Sequence, residues 1–564
     1  MKLSRRRLLG MAAATIPALS SSGCASNGED DDRGWNRGDL AHLLPTASST
    51  AFNLKTSFQS PLASAPQLAL SEPGASNERR VLGVRGDENG RFWSFRVGDL
   101  ASDREYTLQL RSEAGSALCD AWPLRTLPAA DAKPERLRVG AFTCAGGMSV
   151  PVSPSLFEPF KPIAYRRHLF ERLLEEKPDV VVANGDHVYF DLPMSERIQS
   201  HALAPIFGPF MKNVMANFDP SQPVRSPRNE SALTTVGDDQ IASIYGVRFR
   251  STPTFFITDD HDYFDNDDAT EERISFPPNA FHRSLRNHLQ RLYFPEFLSS
   301  SAAEAALPGR KEEDGLSLST HFGSVRYGDL FCGLFYDCGG YLELGEGAGL
   351  VPRSVEAWLI AETLGEDTLH AAHFPSHPMG WTAGKWREWY RDRLESSGSV
   401  VATVGSDASG GKYLWQSGWW EQHQRLLHAL SSQRSRAALM ISGDLHALGA
   451  GIIEASGSLS LARNPVRTIL AGPVGVGEIG WPSRARGVSA RVPRELSMQP
   501  LLELEERNGV TIVDFDRQQT KVRTLGCPAG YEAPGTFEFD EVLHVEWALA
   551  DSTSGDDGVK GGIS

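Results

Sequence analysis

Cysteine is scarce: there are six in 564 residues, and no spacing among them resembles a zinc ribbon or a small disulfide scaffold. Cys24 lies near the N-terminus. Cys119, Cys144, Cys332, Cys338 and Cys527 remain, an odd number that fixes no pairing. Positive charge is short as well. The 56 Lys and Arg against 71 Asp and Glu give a formal net charge of -15. That excludes a general nucleic-acid binder, which needs a basic face. It leaves phosphate substrates open, because metal ions can supply positive charge locally. The N-terminal apolar run, Met11 to Leu19, is too short for a stable membrane-spanning helix. There is no internal repeat. The rest is an ordinary soluble composition, long enough for more than one domain.

The first residues read as a targeting segment. Ser4-Arg5-Arg6-Arg7-Leu8-Leu9 is a twin-arginine pattern ahead of the apolar run. Ser21-Ser22-Gly23-Cys24 resembles a lipoprotein cleavage site, with Cys24 as the lipidated residue and Ser21 where Leu is usual. Simple cleavage is the alternative. The expectation is an exported protein, periplasmic or in the cell envelope, carried by the twin-arginine machinery. Membrane attachment would run through lipidated Cys24. That export route carries folded proteins, often with metal already loaded.

Patterning predicts the rest. Residues 1–24 are the signal and 25–46 an acidic linker. Residues 47–128 carry short alternating strands such as Glu105 to Arg111, and read as a small immunoglobulin- or fibronectin-like β-sandwich. Residues 129–530 alternate strands with helical stretches and read as an α/β domain. Ser301 to Leu316 reads as a surface loop. Residues 531–564 hold a C-terminal strand, Phe537 to Trp547, and a Gly- and Asp-rich tail.

Four separated strings carry the chemistry: Cys144, Asn184-Gly185-Asp186-His187-Val188-Tyr189, Thr258-Asp259-Asp260-His261-Asp262 and Ser442-Gly443-Asp444-Leu445-His446. Each follows an apolar run, so each is expected where a buried strand opens into a loop, the usual ligand position of α/β folds. Asp186 on its turn can bridge two cations; alone it would read as a helix cap. Tyr189 can reach the same metal, or be a core tyrosine. Asp259 and Asp260 are adjacent acids that repel unless a cation neutralises them; solvated loop acids are the alternative. Asp262 and Asn266 are further oxygen donors. Asp444 and His446, two apart, point the same way from an extended segment, a spacing that also occurs by chance. Cys144 is a thiolate ligand or an inert buried thiol. Carboxylate, imidazole, phenol and thiol together suit iron better than a purely hard ion.

Together, in this order, the strings resemble the alkaline phosphatase D-like family of metallophosphoesterases, over about Phe52 to Cys527. Ser376 to Trp386 and Gly480-Trp481-Pro482-Ser483 are similar to one branch of it. The resemblance implies a four-layer αββα metallophosphatase core after the β-sandwich, and Fe3+ with Ca2+ as cofactors. It implies Cys144, Asp186, Tyr189 and His446 as iron ligands. Asp186 would bridge to a second cation held by Asp444 and by Asp260 or Asn266. His261 takes the catalytic position. At Tyr336-Asp337-Cys338-Gly339-Gly340 an arginine common in the family is missing, which removes an expected phosphate clamp.

The expected function is an exported hydrolase of phosphoesters, of alkaline phosphatase or phosphodiesterase type, using a metal-bound hydroxide at a dinuclear or multinuclear centre. His261 would protonate the leaving alkoxide or stabilise the charge on phosphorus. Lys385 is a further candidate phosphate contact. Pro375, Trp381 and the C-terminal strand are expected to shape or gate the entrance. The rival readings are a membrane-tethered binding protein that keeps the fold, and a hydrolase of another ester.

Overall fold

The structure is a computed structural model of the full chain. It describes residues 34–74, 77–148, 160–190, 218–263, 278–299, 304, 306–343, 349–381, 417–478, 480–485, 489–493, 495–528 and 538–549. Cys24, Asn266 and Lys385 lie outside the described residues. Arg37–Ser564 forms one compact unit.

Two four-stranded antiparallel sheets open this unit. One orders Leu40–Ala47, Phe52–Phe58, Phe92–Val97 and Val84–Arg85; the other orders Arg79–Leu82, Gln67–Ser71, Glu105–Arg111 and Trp122–Arg125. Phe52 of the first meets Tyr106 of the second edge to face, ring centroids 5.8 Å apart. All but the last residue of the strand Leu40–Ala47 falls inside the stretch expected to be linker. Almost every residue of it is buried, including His42 and Thr46, so it lacks the polar alternation that marks a half-exposed strand. Buried polar contacts tie the first of these sheets to the segment from Tyr293 to Glu296. His42 Nε2 lies 3.0 Å from the Tyr293 carbonyl, and the Lys55 ammonium pairs with Glu296 at 3.1 Å.

Two larger sheets form the centre. The six-stranded sheet runs Thr254–Ile257, Val180–Asn184, Arg136–Phe142, Gly509–Asp516, Gln519–Gly526, Asp540–Ala548. Its first three strands are parallel and the remainder antiparallel. The eight-stranded sheet has a parallel centre, Phe331–Tyr336, His370–Pro375, Leu439–Ser442 and Val466–Leu470, with antiparallel strands at both sides. Parallel strands buried on both faces read as continuous apolar runs, as Val180-Val181-Val182-Ala183 does.

Each sheet packs its own helices. Ile163–Glu175 places Tyr165, Leu169, Phe170 and Leu173 on one face, at helical spacing, against Phe142 and Val181 of the first sheet. Burial of each such side chain stabilises by roughly 2 kcal/mol. Left-handed Lys177, followed by Pro178, ends that helix. Ala280–Tyr293, capped by the Asn279 side chain on the His282 N–H, covers the same cluster. Arg353–Gly365 and Ser417–Ser431 cover the second sheet through Trp358, Leu359, Trp419 and Leu427. The layers are helix, sheet, sheet, helix, as expected.

Three local expectations are corrected. The stretch taken as a surface loop before Leu316 contains the strand Arg310–Glu313, which pairs with Leu316–Ser319. Asp314 and Gly315 both have positive φ, 53° and 74°, the two-residue turn that matches strand twist. The C-terminal strand Asp540–Ala548 pairs with Gln519–Gly526 at the edge of the six-stranded sheet, so it extends that sheet instead of gating an entrance. Trp381 is packed into the core beside the second sheet, because its ring finds apolar cover there. Among the described residues no helix is long and apolar enough to cross a membrane, and all five described cysteines are free and buried.

Candidate metal centre

The two sheets bring the carboxyl ends of their parallel strands to one place. Cys144 comes two residues after Arg136–Phe142, Asp186 two after Val180–Asn184, Asp259 two after Thr254–Ile257 and Asp444 two after Leu439–Ser442. Asn184 pins the sheets together: its Nδ2 donates to the carbonyls of Pro375 (3.0 Å) and Ile441 (3.2 Å). The approach is so close that a Cβ on Gly443 would lie 2.1 Å from the Asn184 carbonyl oxygen.

Cys144, Asp186 and Asp444 all hold positive φ, at 50°, 57° and 70°. Left-handed non-glycine backbone is costly and gathers at functional sites. Here it aims three donors inward. Ligand atoms of Cys144, Asp186 and His446 lie within 4.8 Å of one another; so do those of Asp186, Asp260 and His261, and those of Asp186, Asp259, Asp260 and Asp444. Asp186 is shared by all three groups. Its Oδ2 lies 3.4 Å from both Cys144 Sγ and the Tyr189 hydroxyl, and that hydroxyl lies 3.1 Å from His446 Nε2. Burial, together with the Asp186 and Asp444 carboxylates, pushes the Cys144 thiol well up; burial and Asp186 do the same to the Tyr189 phenol. A cation reverses the sign of each such effect. The four carboxylates are all buried. At this separation they repel unless cations neutralise them, so the donor set fits the metal ions that the resemblance implies.

Neighbouring groups fix the donors. Asp262, expected as an oxygen ligand, instead accepts four backbone N–H groups, from Asp186, His187, Val188 and Asp259, at 2.9–3.1 Å. It locks two ligand loops together. His187 is structural: Nε2 meets the Ile257 carbonyl at 2.8 Å, and burial lowers its pKa to about 3. His446 Nδ1 lies 2.8 Å from the Gly480 carbonyl, which leaves Nε2 facing Tyr189. Trp481 packs with Cys144 and Val476, so the Gly480-Trp481 string supports both donors.

Sequence reasoning gave no role to two groups. His377 Nδ1 forms an ion pair with Asp259 Oδ1. Gln240 lies in a π-helical turn, Asp238–Ala242, and its Oε1 accepts from the N–H groups of Gly147 and Tyr189 at 2.8 and 2.9 Å. The apolar strand His370–Pro375 before Ser376-His377 was a signal for the first. Nothing local marks the second, although such turns cluster at functional sites.

Buried guanidiniums near the centre brace loops. Arg166 Nη1 donates to the carbonyls of Ala145, Gly146 and Gly147. Arg286 donates through Nε and Nη2 to Thr258 Oγ1, the residue before Asp259. Asp337 accepts from Thr258, from the Tyr263 hydroxyl at 2.5 Å, and from the Gly339 and Gly340 N–H groups. Burial alone would raise its pKa, but His321, Arg286 and Tyr263 hold it below the usual carboxylate range. This string therefore supports the Asp259–Asp260 loop. His261, assigned to catalysis from sequence, stands beside the donors with its ring 4.2 Å from that of Tyr189.

No family model and no curated protein sequence matches the chain. Solved structures do. The structure of PhoD superposes with a TM-score of 0.54 at 11% identity, over 93% of this chain and 94% of that chain. Purple acid phosphatase PPD1 from yellow lupin (Lupinus luteus) seeds gives 0.52 at 12% identity, over 88% and 74%. Along most of its length this chain therefore has the fold of PhoD and of a purple acid phosphatase, with its buried donor cluster at the strand ends of that fold.

Proposed function

We propose that the protein is an exported, metal-dependent phosphoester hydrolase. The observation that carries the reading is the convergence of three donor groups on Asp186 in a fold shared with two phosphatases. Cys144, Tyr189 and His446 would hold iron beside Asp186; Asp259, Asp260 and Asp444 would hold a second cation, for which calcium is the hard-ligand choice. Cations there supply Lewis acidity and positive charge to a phosphoryl group. The chain's own work is to orient and to move protons. Asp262 and Gln240 set the loops, the Gly480 carbonyl orients His446, and His261 is the group proposed to protonate the leaving alkoxide. The twin-arginine string supports export, and Cys24 is the proposed anchor.

Metal analysis, a visible spectrum and assays on a chromogenic phosphomonoester and a diester test this. The expected result is bound iron with a tyrosinate charge-transfer band, lost in Tyr189→Phe, and turnover of at least one ester. Iron- and calcium-loaded protein that turns over neither ester would overturn the hydrolase reading. A colourless, zinc-only active enzyme would overturn the iron assignment alone.

A further inference from the structure

Away from the metal centre, a cavity of about 320 Å³ opens between the first small sheet, the end of the helix Ala280–Tyr293 and the hairpin 310–319. Its lining is cationic in a chain of net charge -15: Lys55, Arg85, Arg96, Arg291 and Lys311 face only Glu313 and Asp314. Glu296, fully buried beneath it, is shared by the ammonium groups of Lys55 (3.1 Å) and Lys311 (3.0 Å). Arg96 pairs with the other two acids, Glu313 at 2.6 Å and Asp314 at 2.7 Å, and Lys311 shares Glu313 at 3.3 Å; the Arg96 Nε stays buried without an acceptor. Arg85 lies over the Trp93 ring, 5.2 Å from its centroid, and among the described residues no ion pair joins it or Arg291 to a carboxylate, although Glu313 and Glu230 attract Arg291 from farther off. Five cations thus meet three carboxylates. Burial lowers the Lys55 pKa to about 8; the pull of Glu296 opposes it, and the Arg96 and Lys311 charges add smaller downward pushes.

We infer that this cavity binds a tetrahedral oxyanion: inorganic phosphate or the phosphate group of a small monoester. Arginine forks match phosphate oxygens bidentately, and the volume, at the low end for ligand sites, holds such a group together with a small ester substituent. The same helix that offers Arg291 to the cavity holds Thr258, beside the Asp259–Asp260 loop, through Arg286. An anion at the cavity is therefore one helix away from the metal ligands. The inference does not depend on catalysis.

Isothermal titration of the metal-stripped full chain tests it, with inorganic phosphate in one arm and glycerol phosphate in the other. One saturable site is expected, weakening with salt, and the tighter arm identifies the source of the anion. Binding should drop at least tenfold in Arg291→Ala and in Arg85→Ala, and persist in Asp186→Asn. Arg85 is exposed, so its loss leaves the fold intact; matching thermal unfolding curves check Arg291→Ala. Absence of saturable binding, indifference to both arginine variants, or loss in Asp186→Asn would each overturn the assignment.

Discussion

Replacing Asp262 by Asn keeps the size of the side chain but turns one acceptor oxygen into a donor. Two of the four N–H groups it serves then face another N–H. Supporting groups of this kind typically change metal affinity by about 10–100-fold. A loss of that size is expected in Asp262→Asn, with about 2–4 kcal/mol lost from stability through the stranded donors. Metal titration and urea unfolding read the two effects separately; unchanged metal affinity would show that Asp262 does not order the ligand loops. The convergence of the candidate donors was legible in the sequence, because Cys144, Asp186, Asp260 and Asp444 each follow an apolar strand. The bracing roles of Asp262 and Gln240 were not, because they depend on partners far away in the chain, and no local pattern encodes a hydrogen bond from residue 187 to residue 262.

Two glycines make a contrasting pair within their elements. Gly315 has φ +74° with nothing within 4 Å of an added Cβ, so Gly315→Ala should cost only the torsional penalty, about 1 kcal/mol. Gly443 is set by contact instead. A Cβ there meets the Asn184 carbonyl oxygen at 2.1 Å, and the two central sheets would have to separate. Gly443→Ala should cost more than about 3 kcal/mol, beyond the common range for point mutants, and lower metal occupancy as well. Urea unfolding of both variants checks the order; equal costs would refute the steric account. The α/β alternation was readable because buried parallel strands are unbroken apolar runs. The hairpin 310–319 escaped because its strand Arg310-Lys311-Glu312-Glu313 is wholly charged, and only the Asp-Gly turn betrays it.

The whole molecule carries a built-in sensitivity to acid. His42, His373 and His423 are buried as neutral rings, with burial lowering their pKa values to about 4, 3 and 3. An unfolded histidine titrates near 6.5, so below that pH the unfolded chain takes up protons that the folded chain refuses. Stability should therefore fall as pH drops from about 6.5, by about 3 kcal/mol per ring at pH 4. Glu296 adds a loss lower down. Burial opposes its charge, but Lys55 and Lys311 hold its pKa at about 2, so its contribution is present above about 4.5 and disappears as pH falls through 2. Chemical unfolding at pH 7, 5.5 and 4 should give a falling series, and His423→Gln should flatten it; a flat series in the parent protein would contradict the neutral-ring account.

The pairing of Arg136–Phe142 with Gly509–Asp516 has a consequence for the order of assembly. The strand that leads to Cys144 lies between Val180–Asn184 and a partner more than 360 residues later. Until that partner leaves the ribosome, the strand presents an unpaired edge, and open edges recruit other chains. Synthesis at about 5–20 residues per second leaves that edge waiting for roughly 20 seconds or longer. Chains that stop short of residue 509 should be the aggregating species, because the strand leading to Cys144 is then paired on one side only.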